Sequence, residues 1–205
     1  MATPHAPRFA GRLHLPRRSA TAGTRAEASA LSVDTARAAT VAGLRIILGF
    51  VFLWAFLDKT FGYGYATKSG NGWIDDGSPT KGFLSHVDVG PMASTLRGWA
   101  GDTWADWLFM MGLLGIGVAL ILGIGLRVAA VSGTVLMALM WIAEWPPAKH
   151  TDGGDATMST NPFADYHVIY AVALIALAAI ATRSRYGLGD RWAKLPFVQR
   201  NPWLL

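Results

Sequence analysis

Val41-Ala-Gly-Leu-Arg45-Ile-Ile-Leu-Gly-Phe50-Val-Phe-Leu-Trp54-Ala-Phe-Leu-Asp58-Lys59 is the stretch whose reading decides the fold. From Ala38 to Leu57 it supplies about 20 mainly apolar positions, which at about 1.5 Å per helical residue cover the roughly 30 Å hydrocarbon core of a bilayer. One cation, Arg45, interrupts the run, and Asp58-Lys59 closes it. Arg45 and Lys59 are two heptads apart and fall within about 40° of each other around a helix. One face therefore carries Arg45, Leu48, Phe52, Ala55, Phe56 and Lys59. A charge facing lipid at mid-membrane costs about 3 kcal/mol, so this face is expected to look into protein. Lys59, at the helix end, has snorkelling to the interface as its alternative.

The rest of the composition agrees with a membrane protein. Of the 205 residues, 15% are charged and 52% hydrophobic, against about 25% and 45–50% in ordinary soluble domains. There is no cysteine, which excludes a thiolate nucleophile, a disulfide relay, a Cys-ligated metal or an iron–sulfur cluster within the chain. The net charge of +5 comes from basic residues gathered in tails that flank apolar spans, so membrane topology explains it and nucleic acid is not an expected partner.

Residues 1–35 are rich in Ala, Arg, Ser, Thr and Pro and are expected to form a disordered basic cytoplasmic tail. Arg17-Arg18 is not followed by the apolar run of a twin-arginine export signal. Residues 36–183 read as a four-span membrane domain. After the first span, Ser78-Pro79 and Gly90-Pro91 are helix-start signals that predict two interfacial helices in the first outer loop, Pro79 to Asp88 and Pro91 to Ala100. The second span, Trp104 to Leu126, carries Gly115, Ala119 and Gly123 four apart, a spacing that lets helices approach closely in lipid. The third, Val128 to Trp145, ends with Glu144 ahead of Pro146-Pro147. Asn161 or Asp165 caps the fourth, which runs to about Thr182. Residues 184–205, with Trp192, Phe197 and Trp203 among basic residues, read as an interfacial anchor. The fold expected is an all-α, four-helix transmembrane bundle with interfacial helices in the first outer loop. Arg8 to Arg37, Arg127 and Arg183 to Arg200 all fall on one side, and the positive-inside rule makes both termini cytoplasmic.

This topology brings Asp58, Lys59, Glu144, Asp165 and His167 to one outer membrane level, with Trp54, Trp141 and Tyr170 behind them at helical spacing. A charged mouth on an aromatic pocket is the general form of a small-molecule site. Each residue also has a plainer reading: a Lys59–Glu144 ion pair tying two helices, a capping His167, interfacial Trp141. Bis-histidine haem ligation is not expected, because His5 and His14 lie in the tail and His86 and His150 in loops, and no metal ligand is assigned.

The spacing of Arg45, Gly49 and Lys59, of Gly117, Gly123 and Arg127, and the Asn161-Pro-Phe-Ala-Asp165-Tyr-His167 opening resembles the DoxX/DoxD family of four-span bacterial membrane proteins. Ser78-Pro-Thr-Lys-Gly-Phe-Leu84 is similar to the DoxD side. Phe56 departs from the family, which often has glycine there. The resemblance covers about Ala36 to Arg183. It implies a thiosulfate:quinone oxidoreductase, the activity that DoxD-type members form with a partner subunit in sulfur-oxidising archaea.

Two functions follow as expectations. In the first, electrons pass from a small reductant outside to a membrane quinone. Glu144, His167, Lys59 and Asp58 are the catalytic candidates, Trp54, Trp141, Tyr170 and Arg45 hold the quinone, and Lys81 and Arg97 attract an anionic reductant such as thiosulfate. In the second, the chain is a non-catalytic membrane subunit that docks another complex, or pairs with a second copy, through its glycine face and basic tails.

Overall fold

The computed structural model describes residues 19–180 and 186–205. Among these the regular structure is helical, with no strand: α1 Ser19–Phe61, α2 Lys81–Leu84, α3 Ala93–Gly98, α4 Thr103–Leu122, α5 Leu126–Glu144, α6 Tyr166–Ile180, α7 Gly189–Trp192 and α8 Pro196–Arg200. Among the described residues three segments are long and apolar enough to cross a membrane: Ser29–Phe61 within α1, and all of α4 and α5. α6 is equally apolar but shorter over its described residues, and the expected continuation to Thr182 lies outside them, as do Arg183 and Arg185.

The chain forms two compact units, Met1–Arg37 and Ala38–Leu205. In the first, residues 19–35 are helical rather than disordered as expected. Ala20, Ala22, Ala26, Ala28 and Ala30 are strong helix formers, and this local propensity works without a core to bury. The expectation for residues 1–18 lies outside the described residues.

The second unit is built on the apolar faces of its long helices. Leu48 and Phe52 of α1 meet Met110, Leu113, Ile116 and Leu120 of α4. The same cluster takes in Leu126, Ala129, Ala130 and Met137 of α5 and Leu174 and Leu177 of α6. Leu44, Ile47, Phe50, Val131, Val135, Ile169 and Val172 are exposed, as a lipid-facing surface requires. α1 and α4 approach closely at Gly49 and Gly117, where a Cβ on Gly117 would lie 2.8 Å from the backbone nitrogen of Leu53. Gly115, expected on the packing face, has nothing within 4 Å of its Cβ position and is exposed. The close approach uses Gly117, which lies outside the expected four-residue stripe, and Gly123 of that stripe meets the Arg45 guanidinium instead of another helix.

The turns follow local chemistry. α4 stops where Gly123 adopts φ 73°, so that its N–H and that of Ile124 both bond to Ala119 O. α5 stops at Trp145, a non-glycine residue at φ 40°, ahead of Pro146. The two short helices of the first loop are briefer than expected, Lys81–Leu84 and Ala93–Gly98. After Leu84 the N–H groups of His86 and Val87 bond three residues back, which tightens and ends the turn. Asp106, on the first turn of α4, ties this loop down. Its Oδ1 accepts from Ser78 Oγ at 2.9 Å, Thr80 N at 3.0 Å and Thr80 Oγ1 at 2.5 Å. At the other end of the chain, Trp192 donates to Leu204 O at 2.8 Å and packs edge-on against Phe197, while Arg127 Nη1 donates to Pro202 O at 3.0 Å.

Candidate functional site

The end of α5 and the start of α6 bring four polar side chains together. Asp165 caps α6: its Oδ1 accepts from the backbone N–H of His167 at 3.0 Å and of Val168 at 3.2 Å. Asn161 instead makes the turn before it, with Oδ1 on the N–H groups of Phe163 and Ala164. The cap leaves Asp165 Oδ2 facing His167 Nδ1 at 2.9 Å. His167 is buried at 1% exposure, and Asp165 fixes the orientation of its ring. Glu144 comes in from α5, with Oε2 3.9 Å from the same nitrogen and Oε1 accepting from Tyr166 Oη at 2.7 Å. The Tyr166 and His167 rings lie 4.0 Å apart between centroids.

Beside this cluster opens a cleft of about 720 Å³ between the two long loops. Its walls include Phe83, His86 and Asp88 from the first loop, residues 156–161 from the second, and Glu144, Asp165 and Tyr166. His86 and Asp88 were not singled out from the sequence, because nothing in a loop's composition says that it folds back over a helix end. One atom each from Glu144, Asp165 and His167 lies within 4.8 Å of the others, close enough to share a metal ion.

No family model, curated protein or solved structure matches this chain. The site must be read from its own geometry.

The other expected site residues lie elsewhere. Asp58, 1% exposed, closes the loop that follows α1: its carboxylate accepts from the N–H groups of Tyr65 at 3.3 Å, Ala66 at 3.0 Å and Thr67 at 2.8 Å. That work is structural. Lys59 is half-buried, with Nζ 5.7 Å from the centroid of Phe109 on α4, and does not line the cleft. It is directed to α4 because its azimuth on α1 differs from that of Asp58 by about 100°. Trp54 packs with Phe50, Tyr63 and Tyr65, whereas Trp141 packs with Trp145 and Phe163 and donates to Phe163 O at 2.9 Å. The expected aromatic set is therefore divided, and only Tyr170, 6.0 Å from Tyr166 between ring centroids, adjoins the polar cluster directly.

Arg45 belongs to the opposite end of α5 from Glu144. It is 1% exposed, its Nη2 donates to Tyr186 O at 2.5 Å, and its guanidinium fills the space over Gly123 and Gly187. It faces protein, as the charge argument required, but holds nothing near the cleft. Lys81 lays its stem along Gly101, and Arg97 Nη1 donates to Val87 O at 2.5 Å. Neither lines the cleft. The expected attraction of an anionic reductant to the cleft is not supplied by them, because Arg97 is engaged with the first loop's own backbone and Lys81 with its packing on Gly101.

Proposed function

We propose that this chain is a four-span inner-membrane protein of DoxX/DoxD type, with both termini cytoplasmic, and that it acts as a quinone-linked oxidoreductase or as the membrane subunit of one. The observation that carries the reading is the pairing of Glu144 with Tyr166 and of His167 with Asp165, with Glu144 Oε2 3.9 Å from His167 Nδ1, beside the loop-side cleft. Quinone reduction takes up two electrons and two protons, with the electrons drawn here from a small reductant outside.

The residues present fit such a group. Tyr170 of α6, 6.0 Å from Tyr166 between ring centroids, gives an aromatic ring a side chain to rest on beside the Glu144–Tyr166 contact, while Trp141 is engaged with Phe163. With Nδ1 of His167 held by Asp165, its Nε2 is the nitrogen that exchanges a proton. Glu144, 35% exposed in its side chain and on the wall of the cleft, faces Nδ1 rather than Nε2 and exchanges a second proton directly with water there.

The cleft carries no lysine or arginine, so the reading does not extend to thiosulfate in this cleft. The test is extraction of the purified protein for co-bound quinone, followed by quinone reduction in the Glu144→Gln variant. Quinone present, and a loss of reduction on a folded variant, are the expected results. A protein free of quinone that reduces none in reconstituted membranes ends the proposal and leaves the docking-subunit reading.

A further inference from the structure

Segment 188–205 is fastened to one end of the long apolar helices. α4 and α5, of 20 and 19 residues, are each about 30 Å long, so the turn between them, residues 123–125, lies at a boundary of the hydrocarbon when they cross a bilayer. That turn holds the segment at several points. Leu188 N donates to Leu122 O at 2.8 Å, Arg127 N to Leu205 O at 3.3 Å and Arg127 Nη1 to Pro202 O at 3.0 Å. Trp192 Nε1 closes the segment on itself at Leu204 O, which lies 4.0 Å from where a Cβ on Gly125 would stand. The depth of the segment is therefore set by ties to the ends of two spans.

The segment leaves two kinds of side chain outward. Trp203 is 60% exposed, Phe197 48% and Leu195 38%, whereas Val198 is buried. Arg191, Lys194 and Arg200 are exposed among them, and none makes a side-chain hydrogen bond or ion pair with a described residue. Asp190 is the one acidic side chain in residues 186–205. Water alone leaves the rings exposed, and hydrocarbon alone leaves the cations unsolvated. A layer of anionic headgroups over acyl chains suits both, and tryptophan is enriched at that depth. A second copy of the chain brings the same three cations to the contact, where like charges repel.

We infer that segment 188–205 is a docking surface for anionic phospholipid, with Arg191, Lys194 and Arg200 on the headgroup phosphates and Leu195, Phe197 and Trp203 among the upper acyl carbons. Composition suggests an anchor at the interface. Folding adds the ties that hold basic and apolar groups at one depth, and with them a preference for one class of lipid. The inference rests on α4 and α5 crossing the membrane and is independent of the quinone reading, so each can fail alone.

The chain has no cysteine, so Leu195→Cys carries a single nitroxide. The labelled full-length protein is placed in nanodiscs of phosphatidylcholine alone and of phosphatidylcholine with phosphatidylglycerol. Collision of the nitroxide with oxygen, which concentrates in lipid, is compared with collision with a water-soluble nickel chelate. A shift toward oxygen is expected when phosphatidylglycerol is present, reversed by Arg191→Gln, Lys194→Gln and Arg200→Gln together. Raising the salt on the protein with all three cations intact reverses it too, which keeps the test open if the triple variant fails to fold. In native mass spectrometry from equimolar mixed micelles, the preference for retained phosphatidylglycerol is expected to fall about fivefold for each charge removed. A nitroxide equally exposed to nickel in both lipids, an oxygen shift as large in phosphatidylcholine alone, or a phosphatidylglycerol preference untouched in the triple variant overturns the inference. So does spin–spin broadening between copies in place of the lipid response.

Discussion

Tyr166 donates its phenolic hydrogen to Glu144 Oε1 at 2.7 Å, joining the last residue of α5 to the first of α6 across the whole of the intervening loop. The contact has a consequence for stability. Tyr166→Phe removes only the hydroxyl and is expected to cost about 0.5–1.5 kcal/mol, read as a lowered melting temperature. Glu144→Gln keeps an oxygen acceptor for Tyr166 and is expected to melt within a degree or two of wild type, by about the ±0.5 kcal/mol typical of surface changes. If Glu144→Gln melts lower than Tyr166→Phe, the carboxylate is a structural bridge first.

Gly123, which caps α4, and Gly115, two turns inside it, make opposite predictions. Gly123→Ala places a methyl group where Arg45 Nη1 now sits and holds a side chain at φ 73°, so it is expected to destabilise by more than about 1 kcal/mol. Gly115→Ala meets nothing within 4 Å and gains helix propensity, so it is expected to be neutral or stabilising by up to about 1 kcal/mol. Thermal denaturation of the two variants in one detergent decides the matter, and equal melting temperatures contradict the packing described for Arg45.

Asp58→Asn tests whether that carboxylate is structural. It replaces a charged acceptor of three backbone N–H groups by an amide with one oxygen, at a site 1% exposed, and the expected loss is about 1–3 kcal/mol. Limited proteolysis should show new cleavage near residues 62–68. A variant with normal loop protection and lowered quinone reduction would return Asp58 to the catalytic set.

The proposed topology predicts that a cysteine at Ser69 is labelled from outside intact cells and one at Gln199 only after permeabilisation. The chain has no cysteine of its own, so the signal is unambiguous. Both positions are exposed. External labelling at Gln199 reverses the orientation and moves the cleft to the cytoplasmic side.

From the sequence alone, the membrane-crossing lengths of the first three apolar runs, the burial of Arg45 and the meeting of Glu144 with His167 were all legible. Each rests on a strong one-dimensional constraint: hydrocarbon thickness sets helix length, a lipid-facing charge is costly, and Pro146-Pro147 stops α5 where an antiparallel neighbour must begin. The helical state of residues 19–35 was missed because a low content of large apolar residues says that no core forms, not that no helix does. Tertiary structure alone decided the azimuths. Lys59 lies over Phe109 rather than beside Glu144, Trp54 and Trp141 join different aromatic groups, and Gly117 rather than Gly115 takes the close approach. Helical periodicity says which residues share a face, but which neighbour that face meets is set by packing among all the helices at once. The cleft itself, with Asp88 and His86 folded over the end of α5, depends on how Asp106 anchors the first loop, a contact between residues far apart in the chain that no local pattern announces.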